Sequence, residues 1–437
     1  MNYWIEHCKS PRQRPEGVKW DVFISYRSLN RKWALALYDM LKQCGYNIFL
    51  DQFVLVAGQG IASQLGKNLE RSASGVLIWS KNTADSRWVE NELDTMVARK
   101  NNTAGTEFPF FFVVLSLDGQ QPPGLTSGQL YLDFSQYPDG PMGADLVRLT
   151  FGLQGKPLAE EAARSVVGFE KSMKDEPAKL RAMAKTGLYE KILKRIQSED
   201  PAYTTSAVLS GVAIDLLIGG KREPEAIQGA EFALTRFPKS VRLRQLLGLA
   251  LRRNKQLDDA AYEMNLLLEE GHRDPETLGI LAAVWADLWV ERKKGGDDSG
   301  ARDALERSRS LYEEGFNKVP TGTYTGINAA SKSALLGEMD KAKTLADQVL
   351  ARLKEMETER GGGPSEDYWE RVTEPEALLI KSDWEQSVRL FHDARVAHQN
   401  EKGSIQSTAT QVKRLLGVLE VPGDIKQKLD SEFGLEP

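Results

Sequence analysis

The sequence contains very little cysteine and histidine. Its 437 residues include two cysteines, Cys8 and Cys44, and four scattered histidines, at positions 7, 272, 392 and 398. So few cysteines agree with a reducing compartment. Because no C-x-x-C or H-E-x-x-H motif is present, local motifs cannot assemble a histidine or thiolate metal site. We therefore assign no metal.

Long apolar segments and an excess of one charge are also missing. The longest apolar run, at 108–117, is about half of the roughly 20 residues that a helix needs to cross a bilayer. The first twenty residues lack the apolar stretch of a signal peptide, so we expect a cytoplasmic protein without a membrane partner. The net charge is −5, and neither the first 156 residues nor the remainder is strongly basic. We therefore expect no nucleic-acid partner.

The first part of the chain alternates between strand and helix patterns, from Trp20 to about Gly155. Apolar runs predict strands at 21–26, 46–50, 75–80, 110–117 and 130–132, and helical spacing predicts helices at 31–44, 61–71 and 85–100. Such alternation indicates right-handed crossovers and a parallel sheet covered on both faces. Ligands bind beyond the carboxyl ends of the strands in these sheets, so candidate functional residues should follow Ile24, Leu50 and Ile78.

After Gly155 the pattern is helical to the end. Helices that open with an acidic turn and a small residue are predicted to start near 223, 257, 302, 339 and 383. The first two are 34 residues apart, and later spacings are longer, with two apparent insertions at 293–300 and 356–367. Prolines follow these helices at 238, 275 and 320. This period predicts an all-α tetratricopeptide-like solenoid; the alternative is an irregular helical bundle, because the consensus Trp, Gly and Tyr positions are poorly kept.

Two family resemblances accompany these patterns. Four motifs in order, DVFISYR at 21–27, FLD at 49–51, VLIWS at 76–80 and SRWVENEL at 86–93, resemble the TIR (Toll/interleukin-1 receptor) domain over about 135 residues. The resemblance implies a flavodoxin-like α/β fold. Residues 274–328 resemble the tetratricopeptide-like regulatory region of stress-activated kinase kinases and of bacterial proteins of mixed architecture. We expect an extension at 1–19, a TIR domain at 20–155, a helical connector at 156–200 and a tetratricopeptide-like domain at 201–437.

TIR domains are either scaffolds or enzymes that cleave NAD+, and the enzymes share a Trp-x-x-x-Glu pattern. Trp88 and Glu92 stand at this spacing and share one helical face. Cleavage of the nicotinamide–ribose bond leaves an oxocarbenium-like sugar, which a fixed carboxylate stabilises. The resemblance therefore implies that Glu92 is catalytic and that Trp88 lines the nicotinamide–ribose pocket. The alternative interpretation, from periodicity alone, is that Glu92 is an ordinary solvated glutamate and that Trp88 is a core aromatic residue.

Further candidate residues follow the first and third strands. Tyr26 and Arg27 lie where an aromatic ring can stack on a base and a guanidinium can meet a pyrophosphate. Local packing and a surface charge are the alternative explanation for this pair. Ser80 can donate to a ligand or cap the turn, and the cap is favoured.

The loop after the second strand supplies the remaining candidates. Asp51 is expected to order this loop more than to contact the ligand. Gly58 and Gly60 provide backbone freedom, and in the family this loop also contributes to contacts between TIR domains. Many NAD-cleaving members carry an acidic residue at the position of Val56, so this chain departs from the family in the details of loop closure.

These features predict a TIR-type NAD+ glycohydrolase or ADP-ribose cyclase, and the sequence does not choose between hydrolysis and cyclisation. NAD+ is the substrate, so no cofactor is expected. The resemblance implies activation by homo-oligomerisation through TIR domains, in response to an unknown cue at the helical domain, in antiviral immunity. The alternative is a non-enzymatic TIR adaptor. A third possibility is an effector that disrupts a host's TIR signalling, but no secretion signal supports it.

Overall fold

The computed structural model describes residues 5–27, 30–50, 61–80, 87–119, 131–137, 140–141, 144–164, 175–204, 207–318 and 322–434. The side chains of residues 5, 61–63, 87–91, 144, 201 and 359 lie outside this description. Contacts divide the chain into two compact units, Met1–His272 and Arg273–Pro437.

The first unit begins with a parallel sheet of five strands, in the order β2-β1-β3-β4-β5. A helix lies between each pair of successive strands from β1 to β4, which confirms the predicted α/β fold. The strands are β1 (Trp20–Ser25), β2 (Ile48–Phe49), β3 (Ser72–Trp79), β4 (Phe111–Ser116) and β5 (Leu132–Asp133). The helices are α1 (Arg31–Gln43), α2 (Ile61–Glu70), α3 (Arg87–Asn102) and α4 (Ala144–Gly152).

Strand β3 begins earlier than the apolar pattern predicts. The prediction starts at Gly75, whereas the strand starts at Ser72. Two serines in this first part are buried and hydrogen-bonded to backbone carbonyls: Ser72 Oγ donates to Asn68 O at 2.7 Å, and Ser74 Oγ donates to Asp21 O at 2.6 Å. Because these bonds satisfy the hydroxyls, polar residues occupy a buried strand that hydropathy alone does not detect.

Helix α3 packs on one face of the sheet. The rings of Phe23 and Phe49 on this face stack with centroids 5.0 Å apart, in a cluster that also contains Met96 of α3. A second cluster contains Leu77, Trp79, Leu93 and Val114. Helix α3 thus supplies a side chain to each cluster, which fixes its rotation and its position along the sheet.

Close approach of α3 to the sheet depends on Gly75. A Cβ atom at this position would lie 3.1 Å from Met96 Sδ and 3.1 Å from Phe110 Cζ. These distances are shorter than ordinary van der Waals contacts. The absence of a side chain at Gly75 therefore lets the helix and the start of β4 pack against β3.

Helices form the rest of the first unit. Their bounds are α5 (Glu176–Lys185), α6 (Tyr189–Ile196), α7 (Pro201–Thr204), α8 (Ala207–Gly219), α9 (Glu223–Arg236), α10 (Val241–Arg253) and α11 (Leu257–Glu269). Helices α9 and α11 begin at the predicted residues, 34 positions apart. Each helix from α8 to α11 packs on the next, as expected for helical hairpins of this period.

Helix α1 packs against α8 and α10 within this unit. The buried carboxylate of Asp39 accepts hydrogen bonds from Ser240 Oγ at 3.0 Å and from the backbone N–H groups of Val241 and Arg242, both at 3.3 Å. These N–H groups are at the start of α10, where helical carbonyls cannot satisfy them. A side chain of the sheet region therefore caps a helix of the repeat region.

The second unit consists of further helices. They are α12 (Pro275–Lys294), α13 (Asp298–Lys318), α14 (Thr323–Leu335), α15 (Met339–Glu359), α16 (Tyr368–Ile380), α17 (Trp384–Ala397), α18 (Lys402–Leu416) and α19 (Gly423–Phe433). Small residues such as Ala282, Ala330 and Ala346 are fully buried in its main core, which allows helices to approach closely.

The predicted insertions at 293–300 and 356–367 contain the ends of long helices together with the turns at 295–297 and 360–367. Helices α12, α13 and α15 have 20, 21 and 21 residues, whereas α9, α10 and α11 have 14, 13 and 13. Seven or eight extra residues add about two turns to a helix, so they lengthen the repeat without interrupting it. This explains why later spacings exceed 34 residues.

Candidate functional site

The candidate site lies at the carboxyl ends of β1 and β3. Ser25 is the last residue of β1 and is 2% exposed, and Tyr26 and Arg27 follow it, both partly buried. Ser80 directly follows β3 and is also buried. Since the two strands are parallel neighbours, their carboxyl ends meet at one edge of the sheet, where ligands bind in this class of fold.

Helix α3 brings Glu92 to this edge. Leu93 and Met96 are buried against the sheet, and Glu92 lies one turn before Met96 on the same helical face. Its side chain is partly buried. Ser25 Oγ donates a hydrogen bond to Glu92 Oε2, which joins the end of β1 to the first turns of α3.

A second polar pair lies at the same edge. Asn30, immediately before α1, donates from Nδ2 to Ser80 Oγ at 3.1 Å, and both side chains are buried. Ser80 therefore accepts a hydrogen bond from another element. Its role toward a ligand or the adjacent turn stays a prediction.

The remaining predicted residues differ in what the structure says about them. Asp51, Gly58 and Gly60 lie outside the described residues, as does Val56. The backbone of Trp88 belongs to α3, but its side chain lies outside the description. The structure thus brings the predicted residues Tyr26, Arg27, Ser80 and Glu92 to one edge of the sheet.

Two polar residues at this edge, Ser25 and Asn30, are not among the candidates that the sequence predicts. Ser25 lies inside the apolar run of β1, within the first motif. Its position in the sequence could have identified Ser25 as a candidate, because a polar residue that ends a buried parallel strand lies at the ligand-binding edge. Asn30 lies just before a helix, which ordinarily suggests a cap, yet its side chain makes no cap hydrogen bond.

A fixed carboxylate, a guanidinium and hydroxyls at one edge can serve a ligand with sugar hydroxyls and phosphates. Within the part of the chain that the structure covers, no cluster of three or more His, Cys, Asp or Glu side chains is arranged to hold a metal ion. Among the helices described, none has the length and apolar character required to span a membrane.

Comparison with known families finds one match in each part of the chain. Residues 22–149 match the family model described as TIR domain, and residues 224–336 match the model described as Tetratricopeptide Repeats-Sensor. A thermophilic TPR protein from Thermus thermophilus is similar in structure, with a TM-score of 0.37 and 17% identity, over 46% of this chain and 97% of that one.

Several curated proteins are similar to the sheet region. The chain is 31% identical over 93 residues to the 2′ cyclic ADP-D-ribose synthase AbTIR of Acinetobacter baumannii, a match that covers 21% of this chain and 34% of that protein. It is 27% identical over 97 residues to the NAD(+) hydrolase TcpA of a Theionarchaea archaeon, covering 22% and 29%. Disease resistance protein RPV1 of Vitis rotundifolia is 33% identical over 102 residues, covering 23% and 7%.

The chain therefore matches about a third or less of the length of each of these relatives. The family matches lie in the two regions where the sequence predicts them, and the sheet lies in the first of these regions. The predicted resemblance to a TIR domain, followed by a tetratricopeptide-like region, is thereby confirmed.

Proposed function

We propose that this chain cleaves NAD+ at the bond between nicotinamide and ribose, as a hydrolase or an ADP-ribose cyclase, with Glu92 as its catalytic residue. The observation that carries the proposal is the position of the Glu92 carboxylate, held on α3 beside the carboxyl end of β1. The relatives named as a cyclic ADP-ribose synthase and an NAD+ hydrolase are similar to this same region.

The chemistry requires one well-placed carboxylate. Loss of nicotinamide leaves positive charge on the ribose, and a carboxylate stabilises that charge more in the transition state than in the substrate. Nicotinamide departs as a neutral molecule, so a general acid is not obligatory. Water then captures the ribosyl cation in hydrolysis, whereas a nucleophile from the other half of the substrate captures it in cyclisation.

The neighbouring residues are proposed to bind the substrate. Arg27 would pair with the pyrophosphate, Tyr26 would stack on a base and Trp88 would line the nicotinamide–ribose pocket. Ser80 and Asp51 complete the proposed binding set, and Gly58 and Gly60 belong to the proposed closing loop. NAD+ is the substrate in this scheme, and no separate cofactor is invoked.

We further propose that the helical region controls this activity. The support is the contact between α1 and α10, in which Asp39 accepts hydrogen bonds from Ser240 and from the first turn of α10. A cue that moves the repeats would strain this contact and alter the freedom of the sheet region to self-associate. We place such a protein in the cytoplasm and in antiviral defence, where NAD+ loss would stop an infected cell.

Free nicotinamide, measured by chromatography after incubation with NAD+, tests the activity. Wild-type protein should release it faster than linearly with protein concentration, and Glu92→Gln should abolish the release. Asp94→Asn is the matched control, because Asp94 is an exposed carboxylate on the same helix. No release at any concentration, or full activity of Glu92→Gln, would reject the enzyme and favour the adaptor.

Control by the helices has its own test. Asp39→Asn and Ser240→Ala weaken the cap on α10, so both should change the protein concentration at which nicotinamide release begins. Melting curves would establish that the variants remain folded. A concentration dependence equal to that of the wild type in both variants would contradict this route of control.

A further inference from the structure

We infer that Ser25 is a positioning residue, which holds the carboxylate of Glu92 in the orientation required for cleavage of NAD+. This inference rests on the proposed function. It assigns a role to a residue that does not itself contact the substrate in the scheme above.

The register between β1 and α3 places the two side chains opposite each other. Phe23 and Ser25 point to the same face of the sheet because they are two positions apart on the strand. Phe23 and Met96 belong to the same apolar cluster, and Glu92 precedes Met96 by one helical turn. Two residues of strand and four residues of helix both advance by about 6 to 7 Å. Packing of Phe23 with Met96 therefore sets Ser25 against Glu92.

The burial of Ser25 makes its hydroxyl a rigid donor. The residue is 2% exposed and is paired in register with Leu77 of β3, so its backbone is fixed on the central strands. Ser25 Oγ donates to Glu92 Oε2. A glutamate side chain has three rotatable bonds, and a hydrogen bond from a fixed strand restricts them before substrate arrives.

The hydrogen bond is compatible with catalysis by the carboxylate. A carboxylate accepts about four hydrogen bonds, so donation from Ser25 leaves capacity for ribose hydroxyls. The donor also favours the charged form of the carboxylate, which is the form that stabilises a ribosyl cation. One hydroxyl thus orients the Glu92 carboxylate and also favours its charged form.

The test compares Ser25→Thr with Ser25→Val in the full chain. Thr and Val add nearly the same volume at this buried position, and they differ in the hydroxyl. We expect Ser25→Val and Ser25→Ala to lower kcat for nicotinamide release about 10- to 100-fold, by analogy with the cost of removing a hydrogen-bond partner that orients a metal ligand. Ser25→Thr should retain at least about tenfold more activity than Ser25→Val, and KM for NAD+ should change less than about twofold.

The pH dependence of kcat gives a second readout that a purely structural role would not change. Loss of a donor makes the Glu92 carboxylate bind its proton more tightly, so the acid limb should move to higher pH in Ser25→Val and Ser25→Ala. Ser74→Ala is the matched control, because Ser74 is equally buried and donates to the backbone oxygen of Asp21. It should leave kcat and the acid limb unchanged after correction for folded fraction.

The outcomes separate this inference from the proposed function. If Glu92→Gln is inactive but Ser25→Val and Ser25→Thr have equal kcat, the inference about Ser25 is wrong and the enzyme proposal stands. If the wild type releases no nicotinamide, or Glu92→Gln keeps full activity, the proposed function fails and the inference fails with it.

Discussion

Asp39 and Ser240 are 201 residues apart in the chain, yet Ser240 Oγ donates to Asp39 Oδ2 at 3.0 Å. Ser240 is also the N-cap of α10, where its hydroxyl accepts from Leu243 N at 3.4 Å. Two side chains therefore cap this repeat helix, a local serine and a carboxylate from the sheet region. A negative charge at this position also interacts favourably with the helix dipole.

Replacement of this carboxylate should destabilise the first unit. Asp39→Ala removes the acceptor for Ser240 and for two backbone N–H groups, and we expect it to lower the free energy of unfolding by about 2 kcal/mol. Urea unfolding followed by circular dichroism measures the loss. Glu231→Ala, on the exposed face of α9, is the control and should change stability by less than about 0.5 kcal/mol. Equal effects of the two variants would show that the cap contributes nothing.

The stability of the contact between α1 and the repeats should also depend on pH. The ring of His272 packs edge-on against Tyr38, with centroids 6.3 Å apart. Burial lowers the pKa of His272 from its ordinary value of 6.5; Glu270 raises this pKa, whereas Arg244 and Lys42 lower it further. Below pH 6.5 the unfolded chain therefore binds this proton more readily than the folded chain does. Stability associated with His272 is present above about pH 6.5 and is lost as the pH falls towards the folded pKa.

Comparison with His272→Gln isolates this group from the other titrating residues. Unfolding free energies measured between pH 8 and pH 5 should fall more steeply for the wild type than for the variant. The two curves should converge at low pH, because protonation removes the advantage of the neutral ring. Parallel curves across this range would contradict the assignment.

The contact between α1 and α10 also shows what sequence patterns can and cannot predict. The starts of α9, α11 and α15 follow from local signals, an acidic first turn followed by alanine, and these predictions are confirmed. Asp39 carries no such signal. It lies on the polar side of an amphipathic helix pattern, and its partner is defined only by the docking of distant helices.

The candidate site was likewise predictable from sequence only in part. The spacing of Trp88 and Glu92 identifies a helical face, and the end of β1 identifies an edge of the sheet. The hydrogen bond between Ser25 and Glu92 crosses 67 residues and depends on how α3 packs against β1. That register is set by the shapes of Phe23 and Met96 together with the missing side chain of Gly75, which a one-dimensional pattern does not encode.

Gly75 provides a direct test of this register. Gly75→Ala places a Cβ atom 3.1 Å from Met96 Sδ and from Phe110 Cζ, so these side chains must give way by a few tenths of an ångström, and α3 moves where Met96 cannot. We expect a loss of about 1 to 3 kcal/mol in unfolding free energy and a fall in nicotinamide release, because Glu92 moves with the helix. Gly66→Ala is the matched control: a Cβ at Gly66 meets nothing within 4 Å, and alanine favours a helix, so stability should be unchanged or increase by up to about 1 kcal/mol. Similar losses in both variants would show that backbone effects outweigh packing.

In the second unit, two aspartates cap helices in different surroundings. Asp274, which is fully buried, accepts hydrogen bonds from Glu276 N at 3.0 Å, Thr277 N at 3.1 Å and Thr277 Oγ at 2.7 Å. Asp367 is exposed and accepts from Glu370 N at 2.9 Å. When a buried cap is removed, water cannot reach the N–H groups that it satisfied. When an exposed cap is removed, water takes its place as the acceptor.

Asp274→Ala should therefore cost about 2 kcal/mol of unfolding free energy, and Asp367→Ala about 0.5 to 1 kcal/mol. Asp274→Ser retains an acceptor for one N–H group and should recover part of the difference. The measurement is urea unfolding of the full chain, followed by hydrogen exchange of the amides at the start of α12 and of α16, which assigns each loss to its helix. If Asp367→Ala is at least as destabilising as Asp274→Ala, burial does not determine the strength of these caps, and the same reasoning would then fail for the buried carboxylate of Asp39 on α10.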